Sequence, residues 1–104
     1  MNGKNPIEIF KKEAPKVANA FDNLISELIQ MKGLDEKTKH FIYIGIKVAQ
    51  GDFLAVKFHV PMAKKLGATR DEIKSVILLT LTVSGLKGIT SCLGEALKIF
   101  DATE

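Results

Sequence analysis

Apolar positions recur along the chain at spacings of three and four, interrupted by prolines, glycines and short polar residues that mark helix ends. Asn5-Pro6 with Glu8 reads as an N-cap, a proline at the first helical position and an acid in the first turn. Pro15 opens a second helix in the same way; it should run to about Met31 and stop at Gly33. Asp35 caps a third, to about Gln50, closed by Gly51. Asp52 caps a fourth, to Leu66, closed by Gly67, with an apolar stripe of Phe53, Val56, Val60 and Ala63. Thr69 and Glu72 have the spacing of a capping box and open a long apolar helix. A last helix, from about Gly88 to Phe100, carries Ile89, Leu93, Ala96 and Phe100 on one side. The pattern predicts an all-α fold, a single small domain of five to six helices over residues 1–104, with no linker, internal repeat or low-complexity segment.

Two stretches test that reading. "HFIYIGIKVAQ" is rich in β-branched and aromatic residues and has the composition of a buried strand. The Asp35 cap and the distance to Gly51 favour a helix, because strands are usually shorter. Ser75 to Leu93 is the longest apolar stretch, but Lys87, two glycines and recurrent Ser and Thr interrupt it. A bilayer span needs about 20 mostly apolar residues in a row. The expectation is a helix buried on most of its circumference, partly by neighbouring subunits.

Composition narrows the function classes. A chain of 104 residues buries only about 60–70% of its unfolded surface and gains from oligomerisation. Net charge is +3, and of the 15 basic residues only Arg70 is an arginine. The lysines are interleaved with acids, unlike the clustered basic faces of nucleic-acid readers. The N-terminus lacks the apolar core of a signal peptide, and the lone Cys92 cannot form an internal disulfide. Both features suit a cytoplasmic protein, and the charge pattern and the interrupted apolar stretch lead us to expect no nucleic acid and no membrane as partners.

The candidate chemistry lies in "GDFLAVKFHVPMAKKLGATRDEI". On a helix from 53 to 66, Lys57, Lys64 and Lys65 share one face. His59 groups instead with Asp52, Ala55 and Met62 and faces inward, with a carboxylate two turns away. Pro61 removes a hydrogen bond to the carbonyl of Lys57 and should kink the helix beside that histidine. A packed core histidine bonded to a backbone carbonyl is the alternative.

The segment Gly33 to Ile73 resembles the carboxymuconolactone decarboxylase and alkylhydroperoxidase D-like family. The matching features are Gly33-Leu34-Asp35, then Lys37-Thr38-Lys39, and the helix ending at Gly51. His59, Ala63, Gly67-Ala68-Thr69 and Asp71-Glu72-Ile73 follow. The resemblance implies an alkylhydroperoxidase D-like helical fold assembled as trimers or hexamers, and a small-molecule substrate; the nearly continuous apolar surface of Ser75–Leu93 is expected to contribute heavily to the contacts. It also implies one of two chemistries, lactone decarboxylation or cysteine-dependent peroxide reduction. In the redox branch a Cys-x-x-Cys pair precedes the histidine, and a glutamate on the preceding helix completes a proton relay. Here the thiol positions fall on Asp52 and Ala55, the glutamate position on His40, and only the histidine, His59, is matched. Dithiol peroxidase chemistry by the family's route is therefore not expected, and neither is a cofactor.

The resemblance places His40 beside His59. His40, His59 and Asp52 are then the candidate catalytic residues, lining a small, mostly apolar pocket bordered by the Asp52 end of its helix. They could work as an acid–base pair with one imidazole neutral and the other protonated. A metal held by two nitrogens and a carboxylate is a less favoured alternative, since no spacing here is a metal motif. Two further readings remain: a non-catalytic binding or assembly module on the same fold, and a one-cysteine redox protein using Cys92 between subunits.

Overall fold

The computed structural model describes residues 5–104 and contains helices and turns, with no strand among the described residues. The described residues group into two compact units, one ending at Gly33 and one running from Leu34 to Glu104.

The first unit is a helical hairpin. Helix α1 (Pro6–Glu13) starts with the capping box expected at Asn5: its side chain accepts from the Glu8 N–H, and Glu8 accepts from the Asn5 N–H. Helix α2 (Pro15–Gln30) again has proline at its first position. The two are joined edge to face by Phe10 and Phe21, with ring centroids 6.2 Å apart. Along α2, Val17, Phe21, Leu24 and Leu28 fall on one face, and all are exposed.

In the second unit, α3 (Glu36–Gln50) and α4 (Phe53–Lys65) form the most extensively packed pair. "HFIYIGIKVAQ" is helical, as the Asp35 cap requires: its Oδ1 accepts from the Thr38 N–H at 2.7 Å. Gly51 ends α3 at φ +73°, a left-handed backbone that glycine adopts without steric cost. The α4 stripe is as expected: Val56, Val60 and Ala63 are fully buried against Ile44 and Val48 of α3. α4 runs through Pro61 as one helix. Helix α5 (Arg70–Leu79) opens with the Thr69–Glu72 capping box and buries Ile73 and Ile77 in the same core.

The long apolar stretch departs from expectation. It is not one buried helix: α5 ends at Leu79, a short α6 (Leu81–Ser84) follows, and Gly85 reverses the chain at φ +68°. Hydroxyls cause part of the break. Thr80, Thr82 and Ser84 donate to the carbonyls of Ile77, Leu79 and Thr80, competing with regular helix bonds. The stretch is also largely uncovered, with Leu79, Val83 and Leu86 exposed at 71%, 81% and 65%. Instead of one helix from Gly88, the chain makes a π-helical turn (Ile89–Leu93) and then α7 (Gly94–Ala102). Ser91 and Thr90 donate to the Lys87 carbonyl at the wide turn. Gly88 sits so close to α3 that a Cβ there would collide with the side chain of Val48 and reach its carbonyl oxygen at 2.5 Å.

Candidate functional site: a histidine pair between α3 and α4

His40 lies one turn into α3 and His59 lies midway along α4. The close α3–α4 packing brings the rings together, with Nδ1 of His40 2.9 Å from Nδ1 of His59. The ring centroids are 5.1 Å apart, nearly the most that two imidazoles in a 2.9 Å nitrogen contact can reach. The rings therefore meet end on and their Nε2 atoms lie at the two far ends. Nitrogen lone pairs aimed at one another fit a shared N–H···N hydrogen bond, not two donors converging on an ion.

Aromatic rings hold His59 in place. Tyr43, one turn beyond His40 on α3, stacks on it at 5.1 Å and 22°, and Phe58 meets it edge on at 5.0 Å. The imidazole thus has an apolar wall although the site is only half-buried. Burial lowers the His59 pKa to about 4, helped by the neighbouring His40 and by the Lys47 ammonium. Burial also lowers that of His40, while Glu36 pulls it the other way. Both rings are neutral at pH 7.

Asp52 is the expected cap of α4 and stands outside the contact between the two rings. Its Oδ1 caps α4 through the Ala55 N–H at 3.4 Å, and its Oδ2 pairs with Lys47 at 3.4 Å. The carboxylate acts on the start of α4 and on Lys47, not in the contact between the two rings. The two-nitrogen, one-carboxylate arrangement is not assembled, and no group of three or more potential ligands gathers among the described residues. A groove of about 450 Å3 opens on another face of α3, lined by Ile42, Gly45, Ile46, Leu79 and Val83 among others, and neither histidine lines it.

Cys92 is 1% exposed, packed among Val48, Ile77 and Ala96 in the core cluster. That position serves packing; a thiol exchanging between subunits needs access. No helix among the described residues is long and apolar enough to cross a membrane.

Tyr43, Phe58, Lys47 and Glu36 had no assigned part in the sequence reading. Tyr43 and Lys47 share the His40 side of α3 by helical phase, so that signal was available. Phe58 is adjacent to His59 on α4 and exposed, and only the tertiary structure shows its ring against the imidazole.

A helical fold built around an inward histidine on the helix after an Asp-capped one defines a class, and comparison with known proteins agrees. The model of the carboxymuconolactone decarboxylase family matches residues 15–98, and the chain belongs to that family. Two relatives come from Methanocaldococcus jannaschii. Uncharacterized protein MJ1511 is 32% identical over 80 residues, covering 77% of this chain and 75% of its own. Uncharacterized protein MJ0742 is 30% identical over 96 residues, covering 91% and 88%.

Proposed function

We propose that the chain is a small acid–base enzyme of the decarboxylase branch of its family. His59 abstracts a proton from an organic acid or lactone at a carbon activated by a neighbouring carbonyl. His40 receives the displaced proton. Isomerisation uses that enolate directly; in decarboxylation the same enolate forms by loss of CO2, and the histidine pair then returns a proton to the carbon. The observation that carries the reading is the 2.9 Å Nδ1···Nδ1 contact beside an aromatic wall. A neutral imidazole is the form that works as a base, and burial keeps His59 in it at pH 7. Asp52 supports the site from a distance, through Lys47. The peroxidase branch is disfavoured because Asp52 and Ala55 stand at the thiol positions and Cys92 is buried.

The enzyme works as a homo-oligomer, a trimer or a hexamer, in the cytoplasm. What supports assembly is the exposed apolar run Leu79, Val83 and Leu86, contiguous with the groove on α3. A second copy of this chain is the occupant we assign to that face. Its extent also favours a second reading, an assembly module whose site binds without turnover.

The test is exchange of acidic C–H protons into D2O, with CO2 release, over a panel of carboxylated lactones and keto acids. Wild type should exchange at least one substrate class, and His59→Ala should lose the rate by about 100-fold or more. No exchange with any member, or equal exchange in His59→Ala, would leave the module reading standing. Hydroperoxide consumption with a dithiol should be negligible in wild type and unchanged in Cys92→Ser.

A further inference from the structure

A single hydrogen bond between two Nδ1 atoms forces the rings into opposite tautomers. The donor ring has Nδ1–H and a bare Nε2; the acceptor ring has a bare Nδ1 and Nε2–H. The contact alone does not say which ring is which, and the answer decides which end of the pair is the base.

The charges around the pair break the tie. Glu36 is in the first turn of α3, four residues before His40, which puts it on the adjacent turn of the same helix face. It is exposed, and no other charged group acts on His40 more strongly than this carboxylate. At the other end, Lys47 acts on His59 and is itself held by Asp52. Tyr43 and Phe58, the remaining groups against His59, carry no charge. An anion beyond His40 and a cation near His59 favour hydrogens displaced toward His40 and a lone pair left on His59.

We propose that Glu36 is a positioning residue that polarises the pair, fixing His40 as the Nε2–H tautomer and His59 as the Nδ1–H tautomer, so that Nε2 of His59 is the base. The inference rests on the acid–base reading of the site and assigns its direction. A proton leaving the substrate forms a new N–H bond at Nε2 of His59. The Nδ1–H of His59 crosses to Nδ1 of His40, and the Nε2–H of His40 leaves for Glu36 or water. Each ring gains one proton and loses one, and the pair ends neutral in the mirror arrangement. The pair resets when Nε2 of His59 gives its proton to the product or to water, the Nδ1–H of His40 returns to Nδ1 of His59, and Nε2 of His40 regains a proton from Glu36 or water. The displaced charge never rests on His59, the ring with the apolar wall. Glu36 stands one turn before the position where the family's relay has its glutamate, which in this chain is His40.

Long-range proton–nitrogen correlation spectra distinguish a protonated ring nitrogen from a bare one. They are recorded at pH 7.5 on the full chain, wild type and Glu36→Gln, with circular dichroism to confirm that the variant is folded. Wild type should show His59 protonated at Nδ1 and His40 at Nε2. Near a surface, a charge about one helical turn away biases such an equilibrium by roughly five- to tenfold, and Glu36→Gln should lose most of that bias. The His40 titration midpoint should also fall in Glu36→Gln, with Glu36→Asp restoring part of it. His59 protonated at Nε2 in wild type would overturn the proposal, as would spectra and titration unchanged in folded Glu36→Gln. The readout needs no substrate. The tautomers can be confirmed while the exchange assay fails, which would sink the enzyme reading alone, and the reverse result would sink only the Glu36 assignment.

Discussion

Helix α3 presents two faces with opposite problems. One carries His40, Tyr43 and Lys47, whose side chains find partners within the second unit: His59, the His59 ring and Asp52. The other carries Ile42, Gly45 and Ile46, which line an open apolar groove with Leu79 and Val83. Between them, Ile44 and Val48 are fully buried in the core. The first face has its side-chain contacts satisfied within one chain. The second is apolar surface left exposed in the single chain, with Leu79 and Val83 at 71% and 81%. One helix thus separates a polar face whose contacts close within the chain from an apolar face that stays open in it.

The sharpest way to break that comparison is to alter one face and read the other. His59→Ala should reduce the exchange rate by about 100-fold or more while leaving the association state as in wild type. Leu79→Asp with Val83→Asp should do the reverse. Light scattering behind a sizing column should show trimer or hexamer for wild type and a smaller species for the double variant, with the His40–His59 titration kept. A wild-type monomer of about 11 kDa at micromolar concentration would remove the second half of the account.

The buried face gives the next effect. Gly88→Ala drives a methyl into Val48, where the contacting atoms include backbone, so α3 and the π-helical turn must separate. The expected loss is about 1–3 kcal/mol in denaturant unfolding, with no change of cooperativity.

Acid should act through the histidine face. The folded His59 pKa of about 4 lies below the ordinary histidine value of 6.5, so the unfolded chain binds the proton more readily. Stability is therefore full above about pH 6.5 and falls as the pH drops toward 4. Discounted for the partial exposure of the ring, the loss is on the order of 1–2 kcal/mol. His40 contributes with the same sign. A His59→Phe variant should flatten that part of the pH profile.

The smallest effect belongs to the groove floor. Gly45 has helical surroundings, and a Cβ there would meet only Val76 Cγ1, at an ordinary 3.7 Å. Gly45→Ala should raise stability by about 0.5–1 kcal/mol without touching the histidines.

Helix ends were legible in the sequence because they depend on single residues. Asn5, Asp35, Asp52 and Thr69 cap the helices expected of them, and Gly51 closes α3 with the left-handed backbone its position called for. The stretch after Leu79 was not legible. Its apolar composition argued for one buried helix, but the hydroxyls of Thr80, Thr82 and Ser84 and the turn at Gly85 break it. Composition gives burial tendency and does not say whether a covering surface exists in the same chain. The side of α4 that carries His59 followed from helical phase, and its neighbour His40 from the family resemblance. The aromatic wall and the Lys47–Asp52 pair depend on how α3 and α4 cross, which no local pattern encodes. Asp52 was legible as the cap of α4, and its pairing with Lys47 was not.

The central claim is that His40 and His59 behave as one unit, and proton titration followed by NMR tests it most directly. Two imidazoles sharing one hydrogen bond resist double protonation and should titrate as a coupled pair. In His40→Ala, His59 loses a neighbour that lowers its pKa, and its midpoint should move up from about 4 toward the ordinary histidine range. In His59→Ala, the titration of His40 should move as well. If removing either histidine leaves the other's curve where it was in wild type, the pair does not exist in solution, and His59 is a packed ring with no catalytic partner.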